Sequence, residues 1–152
     1  MLRLFRRDDG GPELVSELPV AIIATVPAIL QVRSDDFPGA SREISVDFGN
    51  LNTPSAKSIS FDIVSNTTVA VSFVSAARGI LAHEFGGAGV PYELRMNGAA
   101  MSLAAPARER LDMASPNGSR AAVVEIAVPP AGSRRAAGRY LDTLTITFTA
   151  DS

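Results

Sequence analysis

Cysteine is absent from the 152-residue chain, which excludes a disulfide framework, a thiolate nucleophile and every cysteine-bearing zinc site. Tryptophan is absent as well, and two tyrosines stand alone in the sequence, so a stacking platform for sugars is thin. The single histidine, His83, rules out multi-histidine metal clusters. Charge of either sign is sparse: 14 basic and 16 acidic residues leave a net −2, with no general electrostatic drive toward nucleic acid or an anionic membrane. Long apolar runs are missing too. The stretch 18–32 is broken by Pro19 and Pro27 and is too short to span a bilayer as a helix. The basic opening Met1-Leu-Arg-Leu-Phe-Arg-Arg7 looks like the start of a secretion signal, but Asp8 to Glu13 interrupts it before any apolar segment.

What is present is ordinary for a globular domain: 46% hydrophobic and 20% charged residues. A chain of this length buries enough surface to fold without a metal or a disulfide. Its hydrophobic pattern has a period of two almost throughout. Leu18, Val20, Ile22, Ala24 and Val26 share one face of an extended segment. Ile44-Ser-Val-Asp-Phe48, Ile59-Ser-Phe-Asp-Ile63 and Val69-Ala-Val-Ser-Phe73 alternate strictly, and so do Val90, Tyr92, Leu94 and Met96. Asn97-Gly98 then supplies a hairpin turn at which positive φ costs little. Val124, Ile126 and Val128 line another face, and Leu144, Ile146 and Phe148 face away from Thr143, Thr145, Thr147 and Thr149. These patterns predict about seven half-buried antiparallel strands joined by Gly-, Pro-, Asn- and Ser-rich turns, which is an all-β sandwich. Residues 101–113 are the one stretch open to a helix, interrupted by Pro106. The expected organisation is a polar leader and extended N-terminal arm over residues 1–26 and a β-sandwich over residues 27–152.

Catalytic readings are weak. His83 and Glu84 are adjacent, so on a strand they point to opposite faces and form neither a dyad nor a chelate; a hydrolase using His83 is a formal alternative only. No Gly-x-Ser-x-Gly elbow occurs. Asp8-Asp9 and Asp35-Asp36 lie beside Gly or Pro, where Asp favours turns. Gly86-Gly-Ala-Gly89 is followed by Val90-Pro-Tyr rather than a helix, so it reads as a strand connection and not a phosphate loop. Arg134-Arg135 reads as a solvated loop tip. The expectation is no enzyme, no metal site and no cofactor.

The run Ala137-Gly-Arg-Tyr-Leu-Asp-Thr-Leu-Thr-Ile-Thr-Phe-Thr149 resembles the closing strand of the spore coat protein U-like family, which includes pilins of archaic, Csu-type chaperone–usher fimbriae. Val46-Asp-Phe-Gly-Asn-Leu51 is similar to the family's early Phe-Gly segment. Ser75-Ala-Ala-Arg-Gly-Ile-Leu-Ala-His-Glu84, leading to Val90-Pro-Tyr-Glu-Leu-Arg-Met-Asn-Gly98, is similar to its middle hairpin. The chain departs from the family in lacking its usual early cysteine pair. The resemblance implies an immunoglobulin-like, pilin-type antiparallel β-sandwich lacking its last strand, completed by β-strand addition from another polypeptide. It implies export to the periplasm or cell surface, with other fimbrial subunits, a periplasmic chaperone and an outer-membrane usher as partners. On that reading Leu144, Ile146 and Phe148 form the acceptor edge, and Leu14, Leu18, Val20 and Ile22 form the donor face of the arm. Burying those four donor side chains contributes up to about 6–12 kcal/mol before ordering costs. Two alternatives stay open. The arm is the first strand of a closed domain, or the chain is a self-contained module binding glycan or protein through Gly86 to Gly89 and the Asn117-Gly118 turn.

Overall fold

The computed structural model describes residues 2–8, 11–18, 21–37, 46–113, 118–130 and 134–151. Its strands are β1 (Leu2–Asp8), β2 (Gly11–Leu18), β3 (Leu30–Arg33), β4 (Ser55–Ser65), β5 (Thr68–Ser75), β6 (Ile80–His83), β7 (Val90–Pro91), β8 (Glu93–Met96), β9 (Ala99–Met101), β10 (Ala107–Leu111), β11 (Gly118–Val128), β12 (Tyr140–Leu141) and β13 (Leu144–Asp151). No helix occurs among the described residues, and every strand pairing is antiparallel.

Period-two patterning produces two facing layers. One is a five-stranded sheet in the order β3-β4-β11-β8-β9; the other is a three-stranded sheet, β10-β5-β13. A small sheet, β12-β6-β7, adjoins them. The inward rows are Ile59, Phe61 and Ile63 of β4, Val69, Val71 and Phe73 of β5, Leu94 and Met96 of β8, and Ala122, Val124, Ile126 and Val128 of β11. All are buried and together make one hydrophobic core. This is an antiparallel β-sandwich. The Asn97-Gly98 turn takes φ of 49° and 84° and joins β8 to β9 as expected.

Four local expectations are corrected. Residues 101–113 do not form a helix: β9 ends at Met101, and β10 pairs with β5, so sheet pairing overrides local helix propensity once Pro106 has broken the run. Within the expected strand at 44–48, residues 46–48 adopt no regular strand, and 44–45 lie outside the described residues. The expected extended strand over 18–26 is not continuous. β2 closes at Leu18, residues 19–20 lie outside the described residues, and residues 21–29 have no strand partner among those described. Finally, Arg135 is not a solvated tip. Its guanidinium donates to the carbonyls of Leu51 and Pro129 and ties together two otherwise separate loops.

Candidate functional site

The two layers do not close at one side. β3 ends the large sheet and β13 ends the small one, and among the described residues neither has a strand on its outer edge. Between them runs an open groove of about 2010 Å³. Leu30 and Val32 stand on the β3 bank, and Leu144, Ile146 and Phe148 on the β13 bank. Ile59, Phe61 and Ile126 line its floor. The Phe61 ring is packed between those of Phe37 (centroids 5.9 Å apart) and Phe148 (5.1 Å).

Burial shows what this side lacks. Val71 and Phe73 of β5 are 0% exposed, yet their direct cross-strand partners Phe148 and Ile146 remain only partly buried. The other bank repeats the contrast: Ile63 is 0% exposed while its partner Val32 is partly buried. The three residues expected to form the acceptor edge therefore sit together on one edge strand, only partly buried themselves, beside floor residues that are buried.

Among the described residues, no strand pairs with the backbone of β13 on the same side. The Ala76 amide donates to the carbonyl of Thr143 at 2.9 Å, and the Thr67 hydroxyl donates to the carbonyl of Asp151. Both carbonyls point toward β5. Backbone groups alternate from side to side along a strand, so Thr143, Thr145, Thr147, Thr149 and Asp151 bond toward β5. The N–H and C=O groups of Leu144, Ile146, Phe148 and Ala150 then face the groove. The residues with inward side chains are thus the ones with free backbone groups, the arrangement that β-strand addition uses.

Both ends of β13 are fastened. At its start, the Asp142 carboxylate accepts four hydrogen bonds: from the Tyr92 and Ser75 hydroxyls at 2.5 Å each, and from the Ala77 and Thr143 amides at 2.8 Å each. Burial, reinforced by the hydrogen bond to Asp142, pushes the Tyr92 phenol well above its usual 10.0. At the far end, Asp151 pairs with Arg108 (3.2 Å) and Arg110 (2.5 Å) of β10. The Arg110 hydrogen bond holds the Asp151 carboxyl below its ordinary range.

His83 and Glu84 serve the same region. The His83 Nδ1 accepts the Phe85 amide at 3.2 Å, which leaves Nε2–H to donate to the Ala137 carbonyl at 2.9 Å. Glu84 accepts the Arg139 amide at 2.8 Å. Gly138 lies under this pair at φ 141°, and a Cβ there would overlap the His83 ring. The Ala-Gly-x-Tyr-x-Asp stretch is accordingly a scaffold for the start of β13. Among the described residues, no group of three or more His, Cys, Asp or Glu is placed to hold a metal. No helix there is long and apolar enough to cross a membrane.

The expected donor residues are distributed differently. Leu14 and Leu18 belong to β2, opposite Phe5 and Leu2 of β1. Val20 lies outside the described residues. Ile22 is 92% exposed, and so are its neighbours Ile23 (87%) and Val26 (79%), so this segment buries neither face. Just beyond it the chain is anchored: Asn66 accepts the Ile29 amide (2.8 Å) and donates to the Pro27 carbonyl (3.0 Å). Sequence reasoning missed Asp142 and Arg135. An Asp followed by Thr just before a strand hinted at a cap for the first, and nothing marked the second.

No family model and no curated protein matches this chain. Among solved structures, it is similar to a chain of a chaperone–tip adhesin complex described as vital for synergistic activation of CFA/I fimbriae biogenesis. The TM-score is 0.52 at 14% identity, over 81% of this chain and 42% of that one. The match thus spans less than half the length of that chain, and the two share a β-sandwich fold.

Proposed function

We propose that this protein is a structural subunit of a bacterial surface fimbria, exported and assembled by strand addition into the groove between β3 and β13. One observation carries the reading: Ile146 and Phe148 are incompletely covered on an edge that no described strand pairs with, while their partners Phe73 and Val71 are fully buried. An extended segment with large apolar residues at alternate positions supplies both a partner for that edge and cover for those side chains. The seven residues from Leu144 to Ala150 span roughly 24 Å of such a partner.

The donor is the N-terminal arm of another copy, through Leu14, Leu18, Val20 and Ile22. A periplasmic chaperone holds the groove before assembly, and an outer-membrane usher passes the subunit outward. This reading needs no catalytic residue and no cofactor, and it follows the similarity to the Csu-type family in the terminal strand. Its test is a labelled peptide of residues 11–26, added to the protein and followed by fluorescence anisotropy, with Ile146→Asp as the control. Capture by the wild-type chain and loss of capture by the variant support strand addition. A peptide that binds neither protein overturns it and favours a self-contained binding module.

A further inference from the structure

We propose that β1 is a built-in cap on the donor strand, so that β2 exchanges β1 for the groove of a second copy of this chain. The inference rests on the strand-addition reading above and adds its regulation and the chemistry of its partner. β1 and β2 form a two-stranded sheet that pairs with no other strand among the described residues. Its register is complementary. Leu2 stands opposite Leu18, Phe5 opposite Leu14, Arg3 opposite Glu17 and Arg6 opposite Glu13. Directly opposed apolar and opposite-charge pairs are the elements that stabilise an antiparallel pair.

The groove offers β2 the same chemistry. Its lining carries the partly buried Leu144, Ile146 and Phe148, apolar partners for residues such as Leu14 and Leu18, and Arg33, Arg134 and Arg139 lie along it. None of these three arginines has an ion pair among the described residues. Of the acidic residues there, Asp47 remains, while the Asp142 carboxylate is already occupied by four donors. The groove therefore suits a strand with apolar residues at one parity and carboxylates at the other, and in 13–18 Leu14 and Leu18 share one parity and Glu13 and Glu17 the other. In the hairpin register Arg3 and Arg6 stand opposite Glu17 and Glu13; in the assembly the groove arginines replace them as partners of those carboxylates. An isolated two-stranded hairpin is only marginally stable in water, so the cap opens readily. It lowers the population of donor-competent arm without abolishing it.

The test uses three full-length proteins: wild type, Arg3→Glu with Arg6→Glu, and a four-site swap that adds Glu13→Arg and Glu17→Arg. Self-association is followed by light scattering, and groove competence by anisotropy of the labelled 11–26 peptide. The double variant, with like charges across the hairpin, is expected to associate about threefold faster or more, while both it and the wild type bind the peptide equally. The swap restores opposite charges in the hairpin but loses complementarity to the groove, and it associates no faster than wild type. If the double variant associates at the wild-type rate while the peptide still binds, the cap is refuted and strand addition stands. If the swap associates as fast as the double variant, the arginine–glutamate register is not what holds the arm. Failure of the peptide to bind any of the three refutes the underlying reading instead.

Discussion

Amide exchange along β13 tests the open edge without any mutation. In the isolated chain, the amides of Thr145, Thr147 and Thr149 bond toward β5 and those of Leu144, Ile146, Phe148 and Ala150 face the groove. Freeing a Thr amide means lifting the strand, which re-exposes Leu144, Ile146 and Phe148. These side chains are largely but not wholly buried, so each contributes about 1–2 kcal/mol. An opening free energy of about 3 kcal/mol, the low end of that sum, slows exchange about a hundredfold, at 1.4 kcal/mol per factor of ten. Residue-resolved exchange by NMR at neutral pH should therefore show an alternating pattern, with the three threonines slower by about two orders of magnitude than their four neighbours. Adding the 11–26 peptide should slow the four neighbours and erase the alternation. Equal protection at all seven positions in the unassembled chain would mean that this edge is already covered, and the argument for an incoming strand would fall.

Four further outcomes are expected. Asp142→Ala leaves the Tyr92 and Ser75 hydroxyls and the Ala77 and Thr143 amides without their acceptor; urea unfolding should show a loss of about 2–4 kcal/mol, and an unchanged midpoint would contradict its role. Tyr92 has its phenol pKa raised in the folded state, so its contribution is complete below pH 10 and is lost as pH rises from there toward the folded value; Tyr92→Phe should lower stability at neutral pH and flatten the decline in stability above pH 10. Gly138→Ala, which needs an unfavourable φ and displaces the His83 ring, should cost about 1–3 kcal/mol by thermal denaturation. Because the Asp151 pKa is lowered, its hold on Arg110 is complete above pH 3.8 and is lost as pH falls through the folded value; amides at the end of β13 should lose protection in that acid window, and Asp151→Asn should remove the effect.

Much of the sandwich was legible from alternation alone, because a strand wet on one face writes its period directly into the sequence. Ile59 to Ile63, Val69 to Phe73 and Val124 to Val128 read as strands and are strands. The shared face of Leu144, Ile146 and Phe148 was legible for the same reason: they alternate with threonines and lie together on one partly covered face of β13. Failures occurred where tertiary partners decide. Residues 107–111 carry too little apolar content to declare a strand by themselves and owe their conformation to pairing with β5. The roles of Asp142 and Arg135 depend on donors and carbonyls distant in the chain, beyond the reach of local pattern. The β1–β2 hairpin was hidden for another reason. The expectation of a polar leader and extended arm over residues 1–26 considered no pairing within it, whereas Arg3 and Arg6 stand opposite Glu17 and Glu13 in the register of β1 and β2.

Fastening β13 at both ends has a cost for the unassembled molecule. A strand pinned by Asp142 at its start and by Asp151 at its finish has no freedom to slide or curl its bare side out of reach, the usual means by which such margins are blunted. If strand addition is how this chain assembles, the same rigidity keeps the margin on offer to any neighbouring copy, and its solubility should fall with concentration well before its stability does.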